Sequence, residues 1–364
     1  MANKDTKVHT PLFHIAKREA MPWHFGVMVR AIAIIAALIT AGVLVAALTG
    51  KNPIQVYITM FEGVFGHADR IWNMGQKVGV LLGISLAITP AYKMKFWNCG
   101  AEGQVIIGGL ATICVMVFLG GKIPTPLLLV VMLFASILAG VIWAVIPAIF
   151  KAIWNTNETL FTLMMNYVAI QLVAYFLKLV AKDGSGVLSP LPQYGLPVIG
   201  GKAFLLNIII VAAITVAIYV YLKSSKQGYE ISVVGESENT AKYIGINVKK
   251  VIIRTLVVSG AICGIMGLII VGGTDHTINT EVVGGRGFTA IMVSWLAKFN
   301  PIFMVLTSFL IVFLEIGSTQ LNTVFGISSS ISKIITGIIL FFIIGCEFFL
   351  RYKIVFNKSR KENA

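Results

Sequence analysis

Apolar positions along this chain fall into long unbroken runs, not into the alternating or one-sided patterns of soluble strands and helices. The runs lie at about residues 25–48, 78–92, 101–119, 127–150, 159–180, 204–222, 251–271, 287–297, 302–317 and 331–350. A helix of about 20 apolar residues crosses the hydrocarbon core of a bilayer, so the pattern predicts an all-α polytopic membrane protein of about ten transmembrane helices. The runs at 78–92 and 287–297 are short and flanked by Gly or Pro, which predicts discontinuous helices. Such helices are tolerated where protein or a water-filled cavity covers the backbone, and in transporters they often mark the substrate route.

Two polar connections are long enough to have a role. Residues 182–202 are rich in Gly, Pro and Ser, which predicts an irregular loop. Residues 223–250 contain Gly235-Glu-Ser-Glu-Asn-Thr-Ala-Lys-Tyr-Ile-Gly245, which reads as a short helix. Glu236 and Glu238 suit the positive end of its dipole, Lys242 suits the negative end, and Gly245 can adopt the left-handed closing conformation. Two turns of helix are unstable alone in water, so this helix is expected to dock on something.

Composition agrees with the pattern. The chain has 364 residues, 57% hydrophobic and 12% charged, with mean hydropathy +0.88. A soluble domain carries about twice that share of charge. The net charge of +14 raises nucleic-acid binding as a function class. The basic residues sit in the gaps between apolar runs, however, and no soluble face gathers them, so no nucleic-acid partner is expected. Placing the N-terminus inside and counting ten spans puts 20 of the 29 Lys and Arg residues in inner segments. This bias places both termini in the cytoplasm. The resulting organisation is a cytoplasmic segment 1–24, a transmembrane domain 25–350 and a basic cytoplasmic tail 351–364. The run after residue 24 is too long for a signal-peptide core and reads as a retained first span.

No catalytic or metal constellation emerges. The four cysteines (Cys99, Cys114, Cys263, Cys346) show no ligand spacing. A phosphate-binding loop needs G-x-x-x-x-G-K-[ST], and Gly201-Lys202, the nearest approach, has Leu196 and Ala203 at the required Gly and hydroxyl positions. No catalytic residues, no metal and no ATPase site are therefore expected, and an enzyme is not the reading.

Charged groups near the membrane need a reason, because insertion costs about 2.5–3.5 kcal/mol each at the centre of a span. Glu102 lies in Asn98-Cys-Gly-Ala-Glu-Gly-Gln104, where a span begins. It either complements the dipole of that helix start, with Asn98 as cap, or lines a polar cavity together with Gln104. Asn155-Thr-Asn157-Glu158 either forms a hydrated span entrance or, with the deeper Asn166, presents polar groups to a path. Glu315, Lys178, Lys333 and Glu347 lie near span ends and read as snorkelling to the interface. Asp275 and His276 fall in an outer loop. Gly79/Gly83 and Gly260/Gly264 have a spacing that lets helices approach closely.

Several of these segments together resemble the permeases of ATP-binding-cassette importers for nucleosides, ribose-type sugars and branched-chain amino acids, most closely the nucleoside branch. The stretch from Gly235 through Gly245-Ile246-Asn247-Val248 is similar to that family's coupling segment, G-x-x-x-x-A-A-x-x-x-G-I-N-V. Residues 98–104 resemble N-I-G-A-E-G-Q, residues 157–167 resemble N-E-x-x-x-T-L-M-x-N-Y, and residues 287–293 followed by Asn300-Pro301 resemble a late G-F-x-x-I-A-V…N-P segment. Departures are Thr240 for a usual Ala, and Thr289-Ala290 for a usual Asp-Gly.

The resemblance implies a type II importer bundle in a bacterial inner membrane, with a short cytoplasmic coupling helix. Its implied ATPase-coupling residues are Gly235, Glu236, Ser237, Asn239, Ala241, Gly245, Ile246 and Asn247. Its implied substrate-path residues are Asn98, Glu102, Gln104, Asn157, Glu158, Asn166 and Phe288. The implied partners are a cytoplasmic ATPase that uses ATP and Mg, a second permease subunit (a copy of this chain or a different one), an extracytoplasmic substrate-binding lipoprotein, the lipid bilayer and a small-molecule solute. A nucleoside is the leading solute and a ribose- or galactose-type sugar the alternative. From another class, an ion-coupled secondary transporter acting alone would need a paired intramembrane carboxylate, which the sequence does not offer.

Overall fold

The computed structural model describes residues 13–18, 23–181, 187–202, 204–326 and 328–356. Parts of the expected N-terminal segment, the 182–202 loop and the basic tail therefore lie outside the described residues, Lys182 among them. The helices in chain order begin with α1 (Trp23–Thr49), α2 (Pro53–Phe65), α3 (Ala68–Lys93) and α4 (Ala101–Leu119). They continue with α5 (Thr125–Trp154), α6 (Glu158–Val180), α7 (Leu205–Ser224), α8 (Lys226–Glu236) and α9 (Glu238–Tyr243). The last four are α10 (Val248–Ile270), α11 (Arg286–Leu296), α12 (Pro301–Phe325) and α13 (Ser329–Arg351).

Seven of these helices (α3, α4, α5, α6, α7, α10 with its extension to Asp275, and α12) are long and apolar enough to cross a membrane. Shorter apolar stretches lie at Ala31–Ala47 in α1 and Ile334–Leu350 in α13. The run at 287–297 forms α11, whose 11 residues reach only about 16 Å. The chain is thus a multi-pass helical membrane protein.

Three expectations need correction. The run at 78–92 is not a short helix: α3 has 26 residues and continues through Asp69, Arg70 and Gln76. Hydropathy detects only the apolar part, whereas Gln76 is satisfied by its amide donating to Thr274 Oγ1 at 2.8 Å. The helix expected over 235–245 is only α9, and Glu236 belongs to the end of α8. Ser237, extended at φ −157°, separates the two helices, and its side chain accepts from Thr240 N as the α9 cap. Finally, the described residues are not wholly helical. Strand β1 (Phe13–Lys17) pairs antiparallel with β2 (Tyr352–Phe356), Phe13 opposite Phe356 and Lys17 opposite Tyr352.

The chain divides into two compact units. One comprises residues up to 67 with those from 314 onward, and in it α1 packs on α13 beside α2 and the β1–β2 ribbon. Helix α2 went unforeseen, although Asn52 capping Ile54 N, Pro53 in the first turn and buried Val56, Met60 and Val64 at four-residue spacing all mark it.

The other unit, residues 68–313, is organised around α10. In its apolar window 72% of residues are buried, against 22% in α5, so α10 is the axis and α5 part of the rim. Helix α5 shows both roles on its two faces. Met132, Ser136, Gly140, Ala144 and Ala148 are buried, while Val130, Phe134, Leu138 and Ile142 are exposed. In lipid, apolar area alone does not drive helices together, so close approach and dispersion must. A Cβ on Gly264 of α10 would strike Ser136 O, and one on Gly260 would lie 2.5 Å from Gly140 O. The Gly260/Gly264 spacing is therefore a contact surface. Gly83 likewise faces Met266, while a Cβ on Gly79 would meet Val211 at an ordinary 3.8 Å.

Candidate functional site

Within the 68–313 unit, the starts of α4 and α11 come together. Asn98 is fully buried just ahead of α4. Its side-chain oxygen accepts from Gly100 N (3.0 Å) and Gln104 Nε2 (3.2 Å), and its amide donates to Ser259 Oγ at 3.4 Å. Ser259 lies about 17 Å along α10 from its first residue, so α4 begins partway along the central helix and not level with its end.

Glu102, 7% exposed, directs its carboxylate away from its own helix. Its carboxylate accepts from Gly285 N at 2.8 Å through Oε1 and from Gly287 N at 2.7 Å through Oε2. It therefore caps the N-terminus of α11, a helix more than 180 residues away in sequence, where two free amides and the dipole both favour an anion. The positive charge of Arg286, the residue between Gly285 and Gly287, adds a further attraction. Gly287 has to be Gly, since a Cβ there would sit 2.5 Å from Glu102 N.

Asn166 of α6 fixes the same segment from the other side. Its side-chain oxygen accepts from Gly103 N at 2.8 Å and its amide donates to Cys99 O at 2.8 Å. Four residues earlier, Thr162 Oγ1 accepts from Cys99 N at 3.2 Å and donates to Glu158 O at 2.7 Å. The backbone of 99–103, which has no helical partner before α4 starts, is thus paired by side chains, as buried backbone requires. Between these segments burial pushes the Cys99 thiol above its ordinary pKa, which keeps it protonated and inert at neutral pH.

Glu102 and Asn166 line an open cavity of about 380 Å³, together with Leu163, Tyr167 and Ile170 of α6, the 280–285 loop and Phe288 of α11. Tyr167 and Phe288 are 63% and 43% exposed, so two aromatic faces border the opening. Among the sequence-derived path residues, Glu102, Asn166 and Phe288 meet here, with Asn98 and Gln104 in the buried network behind them. Asn157 and Glu158 lie elsewhere, at the α5–α6 turn. Asn157 caps α6 by accepting from Leu160 N, and Glu158 pairs with Lys151 at 2.9 Å. Sequence reasoning missed Tyr167 and Glu281 as cavity residues. Tyr167 directly follows Asn166 and was within reach, while Glu281 carried no signal beyond its place in a polar loop.

The backbone on either side of Asp275 is held by the chain that precedes α7. Leu191 N donates to His276 O at 2.8 Å, and Leu196 N donates to Gly272 O at 2.7 Å, so the described part of the 182–202 loop docks on the end of α10. Among its described residues that loop is irregular as expected, with a 3₁₀ turn at Pro192–Tyr194.

The residues of the 235–247 segment form a second, separate place. Gly235 is buried where α8 meets the end of α3, and a Cβ there would strike Lys93 O. Ala241 anchors α9 from beneath with no exposure, while Glu236, Asn239 and Asn247 are exposed. Gly245 has φ +82°, and Ile246 N donates to Ala241 O at 2.9 Å, which closes α9 in the way glycine-terminated helices do. Asn247 caps α10 by accepting from Lys250 N at 3.1 Å. Arg254 of α10 holds Glu230 of α8 at 2.9 Å. Tyr243 at 92% and Ile244 at 51% exposure project beside a groove of about 570 Å³.

Comparison with known proteins bears on both places. The family described as branched-chain amino acid transport system / permease component matches residues 71–344, three quarters of the chain and both segments just described. Full-length relatives agree. The glucose ABC transporter permease protein TsgB13 of Haloferax volcanii is 28% identical, covering 91% of this chain and 90% of its own. The guanosine ABC transporter permease protein NupP of Bacillus subtilis is 27% identical over 93% and 97%. The nucleoside ABC transporter permease protein NupB of Lactococcus lactis is 27% identical over 94% and 92%. With its apolar helices and its match over most of its length, the chain belongs to the branched-chain amino acid transport system / permease component family, and is a multi-pass ABC transporter permease subunit, not an enzyme.

Proposed function

We propose that this permease carries nucleosides inward along the cavity between α6 and α11, driven by a separate ATPase acting on α8 and α9. The observation that carries the solute assignment is the pair of guanosine and nucleoside permeases that match over more than nine tenths of the chain. The cavity supports it chemically. Tyr167 and Phe288 offer faces on which a base can stack, and the amide of Asn166 and the hydroxyl of Thr280 offer neutral hydrogen-bonding groups for ribose.

In this reading ten crossings are made by α1, α3, α4, α5, α6, α7, α10, α11, α12 and α13. The short α11 completes its crossing with the preceding loop, whose Ile278, Val282 and Val283 are buried in protein. An even count agrees with the pairing of Phe13–Lys17 with Tyr352–Phe356, which needs both ends on one side of the membrane. Residues 223–250 and both termini then face the cytoplasm, where Tyr243, Ile244 and the capped α9 meet a groove on the ATPase. ATP, with Mg, closes the ATPase dimer, and α9 passes that closure through the Glu230–Arg254 pair to α10, the central helix. A second permease subunit completes the path, and an extracytoplasmic binding lipoprotein delivers the solute. No cofactor is held by this chain itself.

A sugar permease is the second reading, favoured by the glucose relative. Competition decides between them. In cells carrying the complete importer, uptake of labelled guanosine is expected to be blocked by excess unlabelled nucleosides and left unchanged by excess ribose or glucose. Blockage by the sugars, or absence of nucleoside uptake, contradicts the nucleoside assignment.

A further inference from the structure

A helix N-terminus that opens on a solute path is a natural seat for an anion, since its free amides and dipole bind carboxylate or phosphate. Here the N-terminus of α11 opens on the cavity, and Glu102 already fills it with both oxygens, at 2.7 and 2.8 Å from two backbone amides. The cavity lining holds a second carboxylate, Glu281, and no Lys, Arg or His. The charge of Arg286, outside that lining, attracts both Glu102 and Asp275. The lining itself therefore carries two carboxylates and no basic side chain.

We propose that Glu102 is a specificity-determining residue: a built-in counter-anion that occupies the seat a solute carboxylate or phosphate would take, and so restricts the path to solutes without negative charge. The proposal rests on the reading of this cavity as the solute path and refines it. Nucleosides and simple sugars satisfy the condition, whereas nucleotides and free amino acids do not. The same two bonds hold the 285–288 backbone, and with it Phe288, against the start of α4, so Glu102 sets the shape of the opening as well as its charge.

The test vacates the seat and asks whether an external anion takes it. In the purified full-length chain carrying E102A, sodium formate is expected to raise the melting temperature and uridine 5′-monophosphate to stabilise the protein, while neither affects the wild type. In cells with the complete importer, E102A is expected to lower nucleoside uptake by about tenfold or more, because two charge-assisted hydrogen bonds are lost. E102Q preserves the side-chain shape and one acceptor oxygen, so it tests the charge even if E102A does not fold. It is expected to retain partial uptake that uridine 5′-monophosphate now inhibits. Wild-type uptake in E102Q that ignores the nucleotide, or equal stabilisation of wild type and variant by these anions, overturns the proposal. Failure of the wild type to take up nucleosides would sink the solute assignment instead, and the melting readout separates the two failures because it uses no transport.

Discussion

At the scale of single residues, the site depends on a few polar side chains doing the work that regular backbone pairing does elsewhere. Asn166 illustrates the magnitude. It satisfies one buried donor, Gly103 N, and one acceptor, Cys99 O, across two elements. Removing it leaves a buried amide unpaired, which costs about 1–3 kcal/mol. Hydrogen bonds between membrane helices are often worth less, about 0.6 kcal/mol on average, because the separated helices find other partners. The irregular backbone at 99–103 has no such alternative, so the larger figure applies. N166A is therefore expected to lower thermal stability in detergent clearly. N157A, which loses only a cap that solvent can replace, is expected to change it by about 1 kcal/mol or less. Equal effects of the two substitutions would show that Asn166 is not bracing the α4 start. Glu102 was visible in the sequence as a costly charge, but its partner was not. The amides it receives belong to α11, and no local pattern connects position 102 to 285 and 287.

At the scale of elements, the membrane made most of the helices legible. A backbone crossing lipid has to satisfy its own hydrogen bonds, so long apolar runs translate directly into helices. This held for α4, α5, α6 and α10, and the short run at 287–297 became the short helix α11. The same logic fails where helices leave the hydrocarbon. Helix α3 continues beyond its apolar part, α2 is amphipathic and lies outside the long apolar runs, and the division of α8 from α9 rests on the single cap Ser237 inside a polar stretch. The Gly260/Gly264 spacing was visible but ambiguous, since such spacings are frequent. What gives it meaning is α5 presenting Ser136 and Gly140 at the same level. A methyl group at Gly264 must displace backbone, whereas at Gly79 it meets ordinary contact. G264A is therefore expected to destabilise by about 1–3 kcal/mol, the range for overpacking a tight core, and G79A by much less. Thermal unfolding of the two purified variants checks this. Similar melting temperatures would mean that α5 and α10 can separate freely, and α10 would lose its place as the axis.

Across the 68–313 unit, α10 links the cavity bordered by α6 and α11 to the segment α8–α9, the lever of the proposed mechanism. Helix α10 serves both places. Its first turn is capped by Asn247 and tied to α8 through Arg254, and its middle holds Asn98 through Ser259. A tilt of α10 imposed at the α9 end must therefore be felt where α4 starts. Two arrangements of packed helices coexist in an equilibrium that a partner shifts only by binding one of them better, and in the proposed mechanism the ATPase is that partner.

The most direct measurement is ATP-driven uptake of labelled guanosine into vesicles that contain the complete importer, comparing the wild-type chain with one in which residues 236–241 are replaced by a flexible Gly-Ser linker. Concentrative uptake by the wild type, requiring ATP on the α9 side, is expected. The linker variant should insert, bind its partners less firmly and show only the ATP-free background. Normal uptake by the linker variant, or concentrative uptake by this chain with no ATPase present, would contradict the proposed mechanism.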